Sequence, residues 1–377
     1  MNNLESFIFC VLLYIIAYLI FPLGLWLGIF IFHVVFVPLL FKHSAGFRRK
    51  LVFANFVQYP SNINFENPAE SGINGARNLY IEFDSYVDKC KIRIGLWHIL
   101  PDSSMKKLEK QSESNKVSLD NFMDDELKHS KCHIIMYCHG NSNSRAAQHR
   151  IKLYQKFQEM NLHIIALDYR GFGDSTNVRL SEDGVVEDAF VTYKWILDKI
   201  KDVKDPPRVF LWGHSLGTGI ASHMVGDLEY LSDKLDCETL PLPSALILEA
   251  PFNNMADEVR YHPLSMMVQW LPYHLNTFSK PFKTHFTFRS DEYLSKVKNL
   301  SVLILHAKDD WVVPFLLGVK LYRSIKASRN DKDAPVKLNS YETKLWLGHK
   351  WICEAQDLRD TLFDFCNVCP QSEHIST

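Results

Sequence analysis

The segment Gly213-His214-Ser215-Leu216-Gly217 sets a serine between two glycines. It comes directly after the apolar run Val209–Trp212 and at the head of a helical-period segment spanning 216–235. A serine hydroxyl is a weak nucleophile, so its placement and its partners decide whether it does chemistry. On a sharp strand-to-helix turn the hydroxyl stands above the sheet, glycines tolerate the crowded backbone, and the helix N-terminus favours negative charge. The chemistry this points to is acyl transfer, with Ser215 attacking a carbonyl carbon.

Such a serine needs a base and an acid to orient that base. The apolar run Val302–Leu305 leads into His306, Ala307, Lys308 and two candidate carboxylates, Asp309 and Asp310. Asp310 is preferred because Trp311-Val312-Val313-Pro314 completes a D-x-x-V-P spacing, while Asp309 is expected to shape the turn. Glu249, at the end of the run Ala245–Leu248, is the runner-up acid. The expected base is His349, on the turn Leu347-Gly348-His349 before a helical segment; His374 lies in a polar tail. The chain order serine, acid, histidine fits one known arrangement of this triad. Cys138-His139-Gly140-Asn141 follows the run His133–Tyr137 and matches an H-G-x loop, so the backbone N–H groups of Asn141 and Leu216 are the expected oxyanion donors. His139, Gly140, Gly213 and Gly217 would support these loops.

The elements that must hold these groups are legible as a rhythm. Asn78–Phe83 and Lys91–Ile99 read as strands. Beyond residue 131, short apolar runs at His133, His163, Val209, Ala245 and Val302 alternate with helical-period segments at 145–160, 182–201, 216–235 and 315–326. Fully apolar runs between helices predict a mostly parallel sheet buried on both faces, a doubly wound α/β fold. Residues 102–131 are rich in charge and read as a solvated insertion, disordered or a surface helix. Residues 253–295, with many aromatics, methionines and prolines, read either as a connecting excursion with its own small core or as a lid with an apolar inner side.

From Phe7 to Phe41 the chain holds no Asp, Glu, Lys or Arg, which exceeds the roughly 20 apolar residues of one membrane crossing. The start Met1-Asn2-Asn3-Leu4-Glu5 lacks a basic segment and no cleavage site follows, so a retained anchor is expected rather than a signal peptide. Pro22 divides the run, which allows one kinked span, a re-entrant pair or an interfacial stretch. Lys42, Arg48, Arg49 and Lys50 follow it, and by the positive-inside rule they favour a cytoplasmic domain. The expected division is therefore an anchor with basic flank over 1–50 and one catalytic domain over 51–377.

The remaining composition narrows the choices. Apolar residues make up 47% and charged residues 23%, which excludes a disordered chain. With 42 basic and 43 acidic residues there is no field to gather nucleic acid. No metal or organic cofactor is expected: Cys366-x-x-Cys369 is a lone pair of cysteines, and Gly171-Phe172-Gly173-Asp174 lacks the ending of a phosphate loop.

Several of these segments together resemble the alpha/beta-hydrolase domain-containing protein 12 family. They are Tyr137–Asn141 (YCHGN), Leu167–Ser175 (LDYRGFGDS), Leu211–Gly219 (LWGHSLGTG), Leu246–Phe252 (LILEAPF) and Leu303–Asp310 (LILHAKDD), extended by Val312–Phe315 and Gly348–Lys350. The resemblance covers about residues 75–365, with an anchor in a similar place. It implies an eight-stranded alpha/beta-hydrolase fold and a membrane-bound serine hydrolase acting on monoacylglycerols and lysophospholipids, notably lysophosphatidylserine. It implies Ser215, Asp310 and His349 as the triad, and an endoplasmic reticulum enzyme whose catalytic domain faces the lumen or outside. That contradicts the basic flank; the acceptor sequence Asn299-Leu300-Ser301 favours the luminal side. A thioesterase on the same triad is the alternative activity, and a non-catalytic membrane scaffold is the alternative class.

Overall fold

A computed structural model describes residues 3–112 and 118–366. Eight strands form one sheet: β1 (Ala76–Asp84), β2 (Lys91–Ile99), β3 (Ile134–Cys138), β4 (His163–Asp168), β5 (Val209–His214), β6 (Ala245–Glu249), β7 (Val302–Ala307) and β8 (Val336–Tyr341). Their order is β1-β2-β4-β3-β5-β6-β7-β8. The pairs β1/β2 and β2/β4 are antiparallel, and every later pair is parallel.

The apolar runs become strands because both faces of the sheet are covered. Every residue of β3 to β7 is buried. Successive side chains alternate between two cores, as the pleat requires. Leu211, Leu246, Leu248 and Ile304 join the core that includes Ile220, Val186 and Leu321. Trp212, Ile247, Leu303 and Leu305 join the opposite core with Tyr154, Phe157 and Phe363. The helices Glu182–Ile200, Leu216–Gly226 and Phe315–Ser328 thus cover one face, and Gln148–Glu159 and Leu358–Cys366 the other.

Three features depart from or refine the sequence reading. The helix expected over 216–235 is two helices, Leu216–Gly226 and Leu228–Lys234, parted at Asp227. The charged insertion forms the helices Asp102–Ser112 and Leu119–His129. The second of these buries Phe122, Met123 and Leu127, and Lys199 holds its Asp124 at 2.8 Å. Of the cysteine pair near the C-terminus, Cys366 is buried in the second core, whereas Cys369 and His374 lie outside the described residues.

The apolar N-terminus folds as two helices, Asn3–Ile20 and Leu23–His43, each long and apolar enough to cross a membrane. At 1.5 Å per residue they span roughly 27 and 32 Å, close to the hydrocarbon thickness of a bilayer. Only 11% and 6% of their most apolar windows are buried. A core helix of a soluble protein would bury one face, so these exposed apolar surfaces fit an anchor.

The chain breaks at Phe21-Pro22 and the second helix folds back on the first. Trp26 Nε1–H donates to the Tyr14 carbonyl at 2.8 Å, Phe30 packs edge-on to Tyr14, and the Tyr14 hydroxyl pairs with His33 Nδ1. The hairpin also grips the 253–295 excursion. Phe7 meets Trp270 with ring centroids 6.0 Å apart, Phe41 meets Phe278 at 4.7 Å, and the Tyr273 hydroxyl donates to the Val34 carbonyl. The excursion itself is a chain of short turns, including Met255–Tyr261, Pro263–Met267 and Leu275–Ser279.

Candidate active site

Ser215 sits between β5 and the helix Leu216–Gly226 with φ +53° and ψ −119°. A non-glycine residue in such a conformation carries roughly 1–3 kcal/mol of strain, which the surroundings must overcome. Here the Ser215 N–H donates to the Glu249 carbonyl at 2.9 Å, and the Thr218 hydroxyl donates to the Ser215 carbonyl at 2.6 Å. The flanking glycines are needed because a Cβ on Gly217 would lie 2.0 Å from the Cys138 carbonyl oxygen, and one on Gly213 would lie 2.6 Å from the Gly217 carbonyl oxygen. Both obstacles are backbone, so neither can move aside cheaply.

The acid and base expected from sequence meet directly. His349 Nδ1–H donates to Asp310 Oδ2 at 2.8 Å. The other carboxylate oxygen accepts the N–H groups of Val312 and Val313 at 2.8 and 2.9 Å. A second histidine, His306 on β7, brings its Nε2 to 3.4 Å from Asp310 Oδ2 while donating to the Val313 carbonyl at 2.9 Å. Burial alone would push the Asp310 carboxyl up, but the hydrogen bonds from His306 and His349 outweigh it and hold the group well below the usual carboxylate range. Asp309 accepts the Gly348 N–H at 3.1 Å and so ties the histidine loop to the acid loop.

Glu249 has a different environment. It is buried, accepts Trp212 Nε1–H at 2.8 Å, and burial pushes its carboxyl up to about 8. A carboxyl that stays neutral near pH 7 and bonds an indole is suited to structural support, not to stabilising an imidazolium.

His349 is joined to the serine elbow through His214, whose Nε2–H donates to the His349 carbonyl at 2.8 Å. The two rings lie 4.9 Å apart between centroids. Among the described residues no hydrogen bond joins Ser215 Oγ to His349; in ligand-free sites such bonds often tighten only when substrate is present.

Asn141 and Leu216 line the same cavity as Ser215. Among the described residues neither backbone N–H has a hydrogen-bond partner. Two unpaired donors beside a nucleophile are what a developing oxyanion requires. His139 is buried under this loop, with Nδ1 2.6 Å from the Gly140 carbonyl and Nε2 3.3 Å from Asp168 Oδ1. Gly140 itself packs against His214 and Ser215.

Other supporting residues were missed in the sequence reading. Arg145 Nη1 pairs with Asp168 at 2.6 Å and Asp174 at 2.7 Å, all beneath the loop. Arg150 Nη2–H donates to the Ser142 carbonyl at 2.8 Å and its Nη1–H donates to the Ser144 carbonyl. The only sign of Asp168 and Asp174 was their place in the LDYRGFGDS segment.

The cavity beside Ser215 measures about 500 Å³. Besides the serine turn, the Asn141 loop and Val312-Val313, its walls draw on two further parts of the chain. His33, Val37 and Phe41 belong to the second anchor helix, and Met255, Phe278 and Phe282 belong to the 253–295 excursion. The lining is dominated by aliphatic and aromatic side chains, the composition expected where an apolar ligand is held beside a few placed polar groups. Among the described residues no group of three or more His, Cys, Asp or Glu side chains is arranged to hold a metal ion.

Comparison with known proteins agrees with this architecture. A family model described as alpha/beta hydrolase fold matches residues 133–240. The lysophosphatidylserine lipase ABHD12 of Gallus gallus is 35% identical over 339 residues, covering 90% of this chain and 82% of the relative. The protein of the same name from Danio rerio is 35% identical, covering 87% of this chain and 79% of the relative. Protein ABHD12B of Homo sapiens is 32% identical, covering 84% and 79%. Among solved structures, an alpha-beta hydrolase from Vibrio vulnificus has a TM-score of 0.57 at 14% identity, covering 84% of this chain and 90% of that one. The Pyrococcus furiosus esterase Pf2001 has 0.53 at 14% identity, covering 82% and 96%. At such identity the structural neighbours speak for the fold alone. The sequence relatives go further: the chain belongs to the ABHD12 family of alpha/beta hydrolases and is a serine ester hydrolase.

Proposed function

We propose that the protein is a membrane-anchored lipase that cleaves the acyl ester of single-chain glycerolipids, monoacylglycerols and lysophospholipids such as lysophosphatidylserine. Ser215 attacks the acyl carbonyl while His349 takes its proton through Nε2. Asp310 holds the His349 ring and stabilises the imidazolium, and the N–H groups of Asn141 and Leu216 bind the oxyanion. His349 then protonates the departing alcohol. In the second half, water gives a proton to His349 and cleaves the acyl-enzyme, releasing the fatty acid and restoring Ser215. All of these steps use groups of this chain.

The observation that carries the lipid reading is the cavity, which has the nucleophile in one wall and the anchor hairpin in another. An acyl chain could pass from the bilayer to Ser215 along an apolar surface, without crossing water. The names of the relatives supply the head-group class. The test is turnover of 1-acylglycerol, lysophosphatidylserine and acyl-thioester panels by the full chain in vesicles. Release of fatty acid from the oxygen esters is expected; preferential cleavage of the thioester would replace this reading with a thioesterase.

We further place the domain on the luminal side of the endoplasmic reticulum membrane. Two of the four basic residues after the anchor are engaged by the protein itself. Arg48 donates to the Phe41 and Lys42 carbonyls at 2.5 and 2.8 Å, and the Arg49 guanidinium lies 5.9 Å from the centre of the Phe286 ring. These contacts leave both arginines charged, so the luminal reading rests on the acceptor sequence and not on a weakened basic flank. Asn299, in its acceptor sequence, is exposed. An endoglycosidase-sensitive mass that Asn299→Gln lacks is the expected result; a protease-accessible domain on intact microsomes would reverse the assignment.

A further inference from the structure

The wall of the cavity contains a group that the triad mechanism does not use. Glu258 lies on the short helix Met255–Tyr261, is 9% exposed, and lines the cavity. Among the described residues its carboxyl makes no hydrogen bond or ion pair, and Oε2 is fully buried without a partner. Leaving such a group unpaired in an apolar lining destabilises the free protein, and folded chains rarely keep one without a reason. Burial, reinforced by the charge of Asp310, pushes the carboxyl well above the usual range, which favours the protonated form. A neutral carboxylic acid can donate one hydrogen bond and accept another.

One turn later on the same helical path, His262 lines the cavity as well. Its Nδ1 accepts the Leu264 N–H at 3.1 Å, which leaves the proton of the neutral ring on Nε2. Burial shifts this ring toward its neutral form, with the charge of Asp310 opposing the shift. Of the two halves of a single-chain glycerolipid only the alcohol half carries hydroxyls beside the ester, so within the cavity it is that half that Glu258 and His262 can pair with. The aromatic side chains of Phe41, Phe278 and Phe282 in the same lining offer the acyl half an apolar surface.

We propose that Glu258, assisted by His262, is the specificity residue for the alcohol half of the substrate, hydrogen-bonding a free hydroxyl beside the scissile ester such as a glycerol backbone carries. This rests on the lipid-ester reading of the site and adds what distinguishes a glycerol ester from a simple alkyl ester. A site that hydrogen-bonds a substrate hydroxyl discriminates against analogues lacking it, because its own buried polar group is then left unpaired.

The test compares kcat/KM for a 1-acylglycerol with that for the methyl ester of the same acyl chain, using the full chain in detergent micelles. The wild-type ratio is expected to favour the acylglycerol, and Glu258→Leu to reduce that ratio by about ten-fold or more. Glu258→Gln, whose amide still donates and accepts, should retain most of the preference. Thermal melting shows whether the variants fold; Glu258→Leu should melt no lower than wild type, since it removes an unpaired buried carboxyl. A wild-type ratio near one, or an equal loss on both esters in Glu258→Leu, overturns the assignment of Glu258 while leaving the lipase reading standing. Should Glu258→Leu not fold, a Glu258→Gln ratio as low as that of an apolar site would overturn it equally. Failure of the wild-type protein to cleave either ester would instead remove the lipase reading, and this inference with it.

Discussion

Replacing Ser215 by alanine is expected to lower turnover of a lipid ester by about 10⁶-fold, the scale seen when a triad nucleophile is removed. The loss should fall on kcat, because the cavity that holds the acyl chain is built from other residues, notably Phe41, Phe278 and Phe282. Alanine can replace serine without disturbing the turn's backbone bonds, which run from the Ser215 N–H to Glu249 and from Thr218 to the Ser215 carbonyl. His349→Ala should be nearly as damaging, and the double variant hardly worse than either, since nucleophile and base act as a unit. Steady-state fatty-acid release by the three variants reads this out. A Ser215→Ala protein within ten-fold of wild type would mean that another group attacks the ester.

Asp310→Asn is expected to lower kcat by about 10⁴-fold, because an amide offers the His349 ring an N–H and so favours the wrong tautomer. The geometry gives the reason for the size. Asp310 Oδ2 faces His349 Nδ1 at 2.8 Å, and two backbone N–H groups fix the other oxygen, so the carboxylate is held in one orientation. Glu249→Gln should change kcat only a few-fold, since Glu249 bonds Trp212 and is already neutral near pH 7. Both variants are assayed on the same ester. The reverse ranking would move the acid to β6 and leave Asp310 as a loop anchor.

Most of the fold was readable because the central strands are continuous apolar runs bounded by turns. The strand missed was β8, Val336–Tyr341. Its side chains are mostly half-buried because it closes the sheet edge, so it carries no apolar run. The anchor was plain in composition, whereas its fold-back depends on contacts of Tyr14 with Trp26, Phe30 and His33 that no local pattern reveals. The serine, acid and base could be chosen from chain order and strand ends. The groups that position them could not. His306, Arg145 and Arg150 lie where an isolated basic residue carries no signal: His306 adds to an acid already paired with His349, Arg145 pairs with carboxylates distant in sequence, and Arg150 bonds backbone carbonyls. Glu258 was hidden for a related reason: a glutamate in the 253–295 excursion reads as solvated until that excursion and the second N-terminal helix line a cavity around it.

The near balance of charge now has a physical setting. On the proposed reading, a protein whose cavity is lined in part by its own apolar N-terminal helix needs no long-range field to collect a lipid. The second of the two apolar helices in the run that composition singled out is also part of the cavity, through His33, Val37 and Phe41.

The central claim is that Ser215 is an activated nucleophile, and covalent labelling tests it most directly. The full chain in membranes should react with a fluorophosphonate probe, and mass spectrometry of the digested protein should place a single adduct on the peptide containing Ser215. Asp310→Asn should slow that labelling and Ser215→Ala should abolish it. No adduct on the folded wild-type protein, or an adduct on a different residue that persists in Ser215→Ala, would contradict the account.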